Sequence, residues 1–307
     1  MASPRSSSTI DRDPFIPDAK ADDMLILVMG PTGVGKSTFI QRYTKNQACT
    51  IGNSLVSCTQ SVTCYEATVP SEFEDLTKRR LFLVDTPGFD DTYQDDSAIL
   101  KRVSDWLAKS YKTQMRVTGI VYVNDISQKR MFGSTRTNYN MFKKLCGHKS
   151  FKRLVMATSQ WDLVESKSGE KREDEMKKEF WKDVLKEGAV IRRIMYEGED
   201  LKDESKGIIT YLLDEEQRHD RNRRLKTEAL RIQTEVVDLQ KRIPATKAGR
   251  ELRTTLEGLL QMQKEMEVEE MDSGRVEDLK KKKEDLQRQV DTLQLTLSER
   301  IKGWLRL

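Results

Sequence analysis

An α/β fold with a mostly parallel sheet, followed by a helical tail, is what the patterning of this chain predicts. Three observations carry that expectation. Short continuous apolar runs recur at Met24–Met29, Leu81–Val84, Gly119–Val123 and Leu154–Ala157, and helical patterns separate them. Strands buried on both faces by crossover helices read this way. A glycine-rich loop, Gly30-Pro31-Thr32-Gly33-Val34-Gly35-Lys36-Ser37, joins the first run to the first helix. Beyond about residue 214 the apolar spacing changes to a heptad-like repeat.

Taken in order, residues 1–22 are rich in Ser, Pro and Asp, lack periodicity and read as a disordered tail. Residues 23–213 read as one α/β domain. Its first strand is the apolar run 24–29, and its first helix spans about 36–45. A second strand covers about 62–69 and ends at Pro70. The run 81–84 is the third strand. A helix within 95–112 places Ile99, Leu100, Val103, Trp106 and Leu107 on one face. After the strand at 119–123, a helix over 136–145 turns Tyr139, Phe142 and Leu145 inward. The strand at 154–157, a charged helix over about 171–186 and a strand over 190–195 follow. A helix from about Ser205, with Ile208, Ile209, Leu212 and Leu213 on one face, closes the domain.

Residues 214–307 read as a helical coiled-coil region. Leu225, Ala229, Ile232, Val236, Leu239 and Ile243 are spaced 4, 3, 4, 3, 4, an a/d seam. Pro244 and Gly249 interrupt it. Leu252, Leu256, Leu259 and Met266 mark a second helix, and a break follows at Asp272-Ser273-Gly274. Val276, Leu279, Lys283, Leu286, Val290, Leu293 and Leu297 continue the repeat. Two arrangements stay open: helices folded back as an antiparallel bundle, or an oligomeric coiled coil with stutters.

Composition removes several function classes. Charged residues make up 34% of the chain, which suits a long solvated helical segment, but the net charge is only +4. Acidic and basic residues are interleaved, so no nucleic-acid partner is expected. No apolar run is long enough to span a membrane, and the polar start does not read as a secretory signal. Cys49, Cys58, Cys64 and Cys146 lack paired metal-ligand spacing, and His148 and His219 stand alone. Reduced thiols in a cytoplasmic protein are the expectation.

The loop at 30–37 is G-x-x-x-x-G-K-[ST] between a strand and a helix, the context that a phosphate-binding P-loop requires. Gly30, Gly33 and Gly35 let the backbone curl so that successive N–H groups, with Thr32, Val34 and Thr38 in the same turn, face phosphate oxygens. The helix N-terminus adds its positive end. Lys36 reaches the β- and γ-phosphates and Ser37 ligates Mg²⁺. Asp85-Thr86-Pro87-Gly88 closes the third strand. Asp85 is placed to hold Mg²⁺ through a water, and Gly88 to bring its N–H to the γ-phosphate, so that losing this phosphate releases the following loop. ATPases typically place an acidic residue beside the strand-end aspartate. Here the neighbour is Thr86, which favours GTP. These motifs refine the fold to a P-loop NTPase three-layer sandwich.

The segments Gly30 to Ser37, Ser57-Cys58-Thr59 and Asp85-Thr86-Pro87-Gly88-Phe89-Asp90-Asp91-Thr92 resemble the translation-factor-related P-loop GTPases. Within them the resemblance is to the septin-like branch, which includes GIMAP-type and chloroplast import receptor GTPases. Ser159-Gln160-Trp161-Asp162 and Lys144-Leu145-Cys146-Gly147 are also similar to fungal G-domain proteins with coiled-coil tails. The resemblance covers about 24–213. It implies Thr59 as the threonine that closes on Mg²⁺ and γ-phosphate, with Thr63 as the alternative. It implies Asp162 as the acceptor of the guanine N1 and N2 hydrogens, a contact that adenine would leave unpaired.

The chain departs from the usual Asn-Lys-x-Asp: the lysine is absent, and Thr158 or Ser159 stands for the asparagine. Trp161 either stacks near the base or, the better reading for its size, packs on a neighbouring helix. The region 197–200 is the candidate for the last base-side loop. Phe89, Asp90 and Asp91 occupy the places where a water-orienting glutamine usually stands, so slow hydrolysis is expected.

The expected protein is therefore a GTP/GDP- and Mg²⁺-binding switch or assembly module, with Lys36 and Thr59 carrying catalysis. An ATPase or a nucleotide-binding scaffold is the alternative. A homo-oligomer through the G domain or the tail is expected, together with a protein partner that the sequence does not specify. Ile301, Trp304, Leu305 and Leu307 compose either an interfacial membrane helix or a frayed coiled-coil end, and their short span favours the second.

Overall fold

Every residue of Met24–Met29 (β1) is buried, with successive side chains entering opposite cores. Leu25, Leu27 and Met29 point into one core, and Met24, Ile26 and Val28 into the other. A continuous apolar run is what a strand covered on both faces requires. The computed structural model describes residues 15–16, 18–45, 61–88, 95–129, 133–197, 200–221, 229–269 and 276–294.

Around β1 the sheet comprises Thr63–Ala67 (β2), Leu81–Asp85 (β3), Arg116–Asp125 (β4), Leu154–Ser159 (β5) and Val190–Arg193 (β6), in the order β2-β3-β1-β4-β5-β6. Only β2 runs antiparallel to its neighbour. One face is covered by Lys36–Thr44 (α1), through Phe39 and Ile40. Asp203–Arg221 (α6) covers the same face through Ile208, Ile209, Leu212 and Leu213. The opposite face carries Asp96–Lys112 (α2), Gly133–Cys146 (α3), Ser166–Glu175 (α4) and the short Lys182–Lys186 (α5). The predicted mostly parallel P-loop sandwich is the observed fold. All five residues assigned to the inner face of α2 are buried, as are Tyr139, Phe142 and Leu145 of α3.

The expected charged helix at 171–186 differs in detail. It starts at Ser166 and passes into a π-turn over Met176–Phe180, and the chain then turns at Trp181 before α5. The π-turn changes the facing of the helix, and Trp181, fully buried, enters the core where the turn ends.

The expected N-terminal tail does not run free up to residue 22. Ile16 is buried, and the Phe15 ring lies 5.5 Å from that of Trp106 on α2 with the Lys109 ammonium 4.2 Å above it. Two apolar residues suffice to anchor this segment, because α2 leaves an aromatic surface for them. Residues 1–14 lie outside the described residues.

The C-terminal helices form a further layer. Arg231–Gln233 (α7) leads into a π-turn over Thr234–Asp238, and Lys247–Glu269 (α8) and Val276–Thr292 (α9) follow. α7 and α8 pack on α2 and α3, and α8 packs along α9. Leu230, Ile232, Ala248, Leu252, Leu256 and Leu260 join the same core as α2 and α3, and Leu286, Val290 and Leu293 of α9 and its end extend it. Gln233 fastens α7 to α2 by donating to the Leu107 carbonyl at 3.0 Å, and Tyr111 donates to Asp238 at 3.1 Å. The continuous a/d seam expected from Leu225 to Ile243 is not what forms. The π-turn ends the helix at Asp238 and leaves Leu239 half exposed, while Ile232 is fully buried in the core shared with α2 and α3. Leu225 lies outside the described residues.

Candidate nucleotide site

The loop 30–35 turns back on itself through three left-handed glycines, Gly30 (φ 139°), Gly33 (φ 81°) and Gly35 (φ 91°). At Gly30 the space also demands glycine, since a Cβ would lie 2.2 Å from the Val123 carbonyl oxygen on β4. Gly35 caps α1 without a side chain, and the first turn of that helix holds no acidic residue. Its N–H groups and partial positive charge therefore face the loop with no internal carboxylate to neutralise them.

Lys36 is buried, and its ammonium donates to the carbonyls of Gly30 (3.0 Å) and Pro31 (2.7 Å). Those carbonyls hold the amine at the loop.

β3 delivers Asp85 to the same place. The register pairs Val28 with Asp85, and the Thr86 hydroxyl donates to the Val28 carbonyl at 2.9 Å, fixing the strand end beside the loop. The Ser37 hydroxyl donates to Asp85 Oδ2 at 2.5 Å. A hydroxyl and a carboxylate are the hard oxygen donors that Mg²⁺ takes alongside phosphate oxygens. Among the described residues no cluster of three His, Cys, Asp or Glu offers a protein-only metal cage, so these two groups fit a metal held jointly with phosphates. Gly88 lies against Thr32, whose hydroxyl donates to the Gly88 carbonyl at 3.3 Å. A Cβ on Gly88 would come 2.4 Å from the Thr32 nitrogen. Only glycine lets the two loops meet.

On the other side, Ser159 at the end of β5 donates to the Val34 carbonyl at 2.7 Å, with the Asn124 carbonyl at 3.2 Å. Of the two residues expected in the asparagine's place, Ser159 links the end of β5 to the loop, whereas the Thr158 hydroxyl donates to Glu173 (3.2 Å). The left-handed Gln160 (φ 62°) starts one 3₁₀ turn, Trp161–Leu163, which leaves Asp162 exposed. Trp161 packs on α4, where a Cβ on Gly169 would meet its ring at 2.6 Å. The packing reading of Trp161 is the one observed.

Gly30 to Thr38, Asp85, Gly88 and Ser159 are thus brought together, and Asp162 stands on the turn beyond Ser159. Thr59 and the segment 89–92 lie outside the described residues. Thr63, the alternative to Thr59, is on β2 opposite Asp85.

Sequence reasoning missed Tyr196. After β6 the chain forms a small hairpin of Tyr196–Glu197 (β7) and Asp200–Leu201 (β8), which packs on α1. A Cβ on Gly35 would come 4.0 Å from the Tyr196 hydroxyl, and the Arg42 guanidinium lies 5.8 Å from its ring centroid. Burial raises the Tyr196 phenol above its ordinary range. Arg42 opposes that rise, and the carboxylate of Asp162 adds to it. Tyr196 therefore stands beside the loop, on the hairpin that packs on α1. The expected last loop, 197–200, starts at the residue after Tyr196, and a lone tyrosine in a two-residue strand carries no pattern to find it by.

Residues 25–157 match the family described as 50S ribosome-binding GTPase. No curated protein matches the chain. Solved structures with a similar fold include Toc33 from Arabidopsis thaliana in complex with Mg²⁺ and GMPPNP. It is 14% identical with TM-score 0.49, and the match covers 64% of this chain and 85% of that one. Era from Aquifex aeolicus bound to GDP·AlF₄⁻ is 16% identical with TM-score 0.43, covering 62% and 56%. A putative nucleolar GTP-binding protein 1 from Plasmodium falciparum is 14% identical with TM-score 0.39, covering 67% and 94%. The strand order and the loop geometry are those of a P-loop NTPase fold, and within it residues 25–157 are similar to the ribosome-binding GTPase family. A helical C-terminal region is packed on that domain.

Proposed function

We propose that this protein is a GTP-dependent switch that hydrolyses GTP slowly and passes its nucleotide state to the C-terminal helices. The observation that carries the reading is the meeting of Ser37 with Asp85 and of Thr32 with Gly88 at one loop. Lys36 and the N–H groups of Gly33 to Thr38 bind the β- and γ-phosphates. Ser37 and, through a water, Asp85 would hold Mg²⁺, which when bound would supply charge neutralisation on the transferred phosphoryl group. Thr59 completes the γ-phosphate side in this reading. Asp162 reads guanine, and Ser159 keeps its strand against the loop.

Gly88 senses the γ-phosphate. Seven residues further on, Asp95 caps α2 by accepting from the N–H groups of Ser97 (2.8 Å) and Ala98 (3.2 Å). α2 in turn carries α7 and part of α8. A change at Gly88 has this covalent and packed route to the tail, where a protein partner or a second copy would read it. Cys64 and Cys146 are buried and form no disulfide. No described helix is long and apolar enough to cross a membrane. Any placement within the septin-like branch rests on sequence resemblance alone.

Single-turnover hydrolysis by dilute protein tests the reading. It expects GTP cleavage at about 10⁻⁴–10⁻² s⁻¹, the range of unassisted switch GTPases, and slower ATP cleavage. A rate near 1 s⁻¹, or equal use of ATP, would overturn it.

A further inference from the structure

The side chains behind Asp162 form a closed brace. Glu173 on α4 is 3% exposed, and Arg193 at the end of β6 grips it with a two-pronged contact: Nε to Oε1 at 3.2 Å and Nη2 to Oε2 at 2.9 Å. Lys177 adds a third bond to Oε2 at 2.9 Å. The Thr158 hydroxyl donates to Glu173 Oε1 at 3.2 Å and accepts from the Trp161 indole N–H at 3.0 Å. The Arg193 guanidinium also lies 4.1 Å from the centre of the Trp161 ring, within cation–π range. Gly169 of α4 lies against an edge of that ring, where a Cβ would meet it at 2.6 Å.

Trp161 is thus held by its N–H, over one face and along an edge, and the next residue is Asp162. The same arginine precedes Tyr196 by three residues, and β6 is pinned to β5 by Ile194 N–H donating to the Thr158 carbonyl at 2.7 Å. One ion cluster therefore fixes both turns that face the base side.

A buried carboxylate and its cations are costly to desolvate and often contribute no net stability over apolar packing, so their best use is to specify geometry. The missing lysine of the usual Asn-Lys-x-Asp would have packed beside the base on this turn. We propose that Arg193 and Glu173 are positioning residues for base selection. Through Thr158 and Trp161 they set the orientation of Asp162 and give the turn the rigidity that the absent lysine does not. The proposal rests on the reading of Asp162 as the guanine acceptor.

The bonds of the brace run to Thr158 and Trp161 beside the base-side turn, so its loss is expected to act on the base. In the full-length protein, Arg193→Lys keeps the charge but removes the fork and the flat stack. Trp161→Phe keeps an aromatic face but removes the N–H donor. Glu173→Gln removes the anion that both cations share.

Equilibrium binding of GTP and ATP, each with Mg²⁺, is measured for each variant beside its melting temperature. The expected result is a loss of about ten-fold in GTP affinity with ATP affinity unchanged, so that preference for guanine shrinks. Arg193→Lys and Trp161→Phe, the milder changes, carry the test if Glu173→Gln fails to fold. Unchanged binding overturns the proposal. So does an equal fall for GTP and ATP, which is what a merely structural role would give. A wild-type protein with no preference for GTP would instead overturn the guanine reading beneath it, and Asp162→Asn separates the cases, because it removes the acceptor and leaves the brace intact.

Discussion

Leu252→Ala separates a docked C-terminal layer from a detached coiled-coil arm. Leu252 on α8 is 0% exposed and belongs to the core that contains α2 and α3, whereas Leu259, two turns further along the same helix, is 46% exposed. Truncating a fully buried leucine costs about 2–5 kcal/mol through lost transfer energy and the cavity left behind. For a unit of this size each kcal/mol lowers the melting temperature by about 2–4 °C, so the expected fall is about 4–20 °C. Leu259→Ala should stay within about 0.5 kcal/mol, a shift under about 2 °C. Calorimetry of both variants over a range of protein concentrations reads the difference. A Leu252→Ala shift as small as that of Leu259→Ala would refute the docked arrangement. A large, concentration-dependent shift for Leu259→Ala would mean that the exposed face is the seam of an oligomer.

Gly30→Ala should yield little folded protein, judged by soluble yield and circular dichroism. Its Cβ would sit 2.2 Å from a β4 carbonyl in a backbone conformation that L-residues avoid. Ser37→Ala should remove most of the benefit of Mg²⁺ for GTP binding, at least about ten-fold when affinities with Mg²⁺ and with EDTA are compared. Glu173 gives the pH dependence. Burial alone would raise its carboxyl, but the bonds from Arg193 and Lys177 outweigh this and lower it below the ordinary value of 4.5. A lowered native pKa contributes stability that is present above the unfolded value and is lost as pH falls through the native one. Urea unfolding should therefore find the gap between wild type and Glu173→Gln widest near pH 7 and closing below about pH 4.5.

Much of the α/β domain was legible because its signals are local. A buried parallel strand must be apolar throughout, so 24–29 and 81–84 announce themselves, and a phosphate loop must carry glycines at set places before Lys36. Asp85 and Gly88 follow from their position at a strand end. What the sequence did not disclose depends on long-range packing. Heptad spacing reports which face of a helix is apolar but not what covers it, so Leu252 and Leu256 read equally well as coiled coil or as cover for α2 and α3. Phe15 and Ile16 look like tail residues until α2 offers Trp106. The brace behind Asp162 joins residues 158, 161, 173 and 193, each ordinary in its own segment. Arg193 and Glu173 read as surface charges, because nothing local says that they meet. The 2.7 Å bond from Ser159 to the Val34 carbonyl likewise exists only in the folded loop.

The central claim, a guanine-selective nucleotide site built on Lys36 and Asp162, is tested most directly by equilibrium competition. Fluorescent GTP is bound in the presence of Mg²⁺ and displaced by unlabelled GTP, GDP and ATP, with Lys36→Ala as the control. Displacement by GTP and GDP but not by ATP, with binding lost in Lys36→Ala, is the predicted result. Equal displacement by ATP, or binding that survives loss of the Lys36 amine, would contradict it.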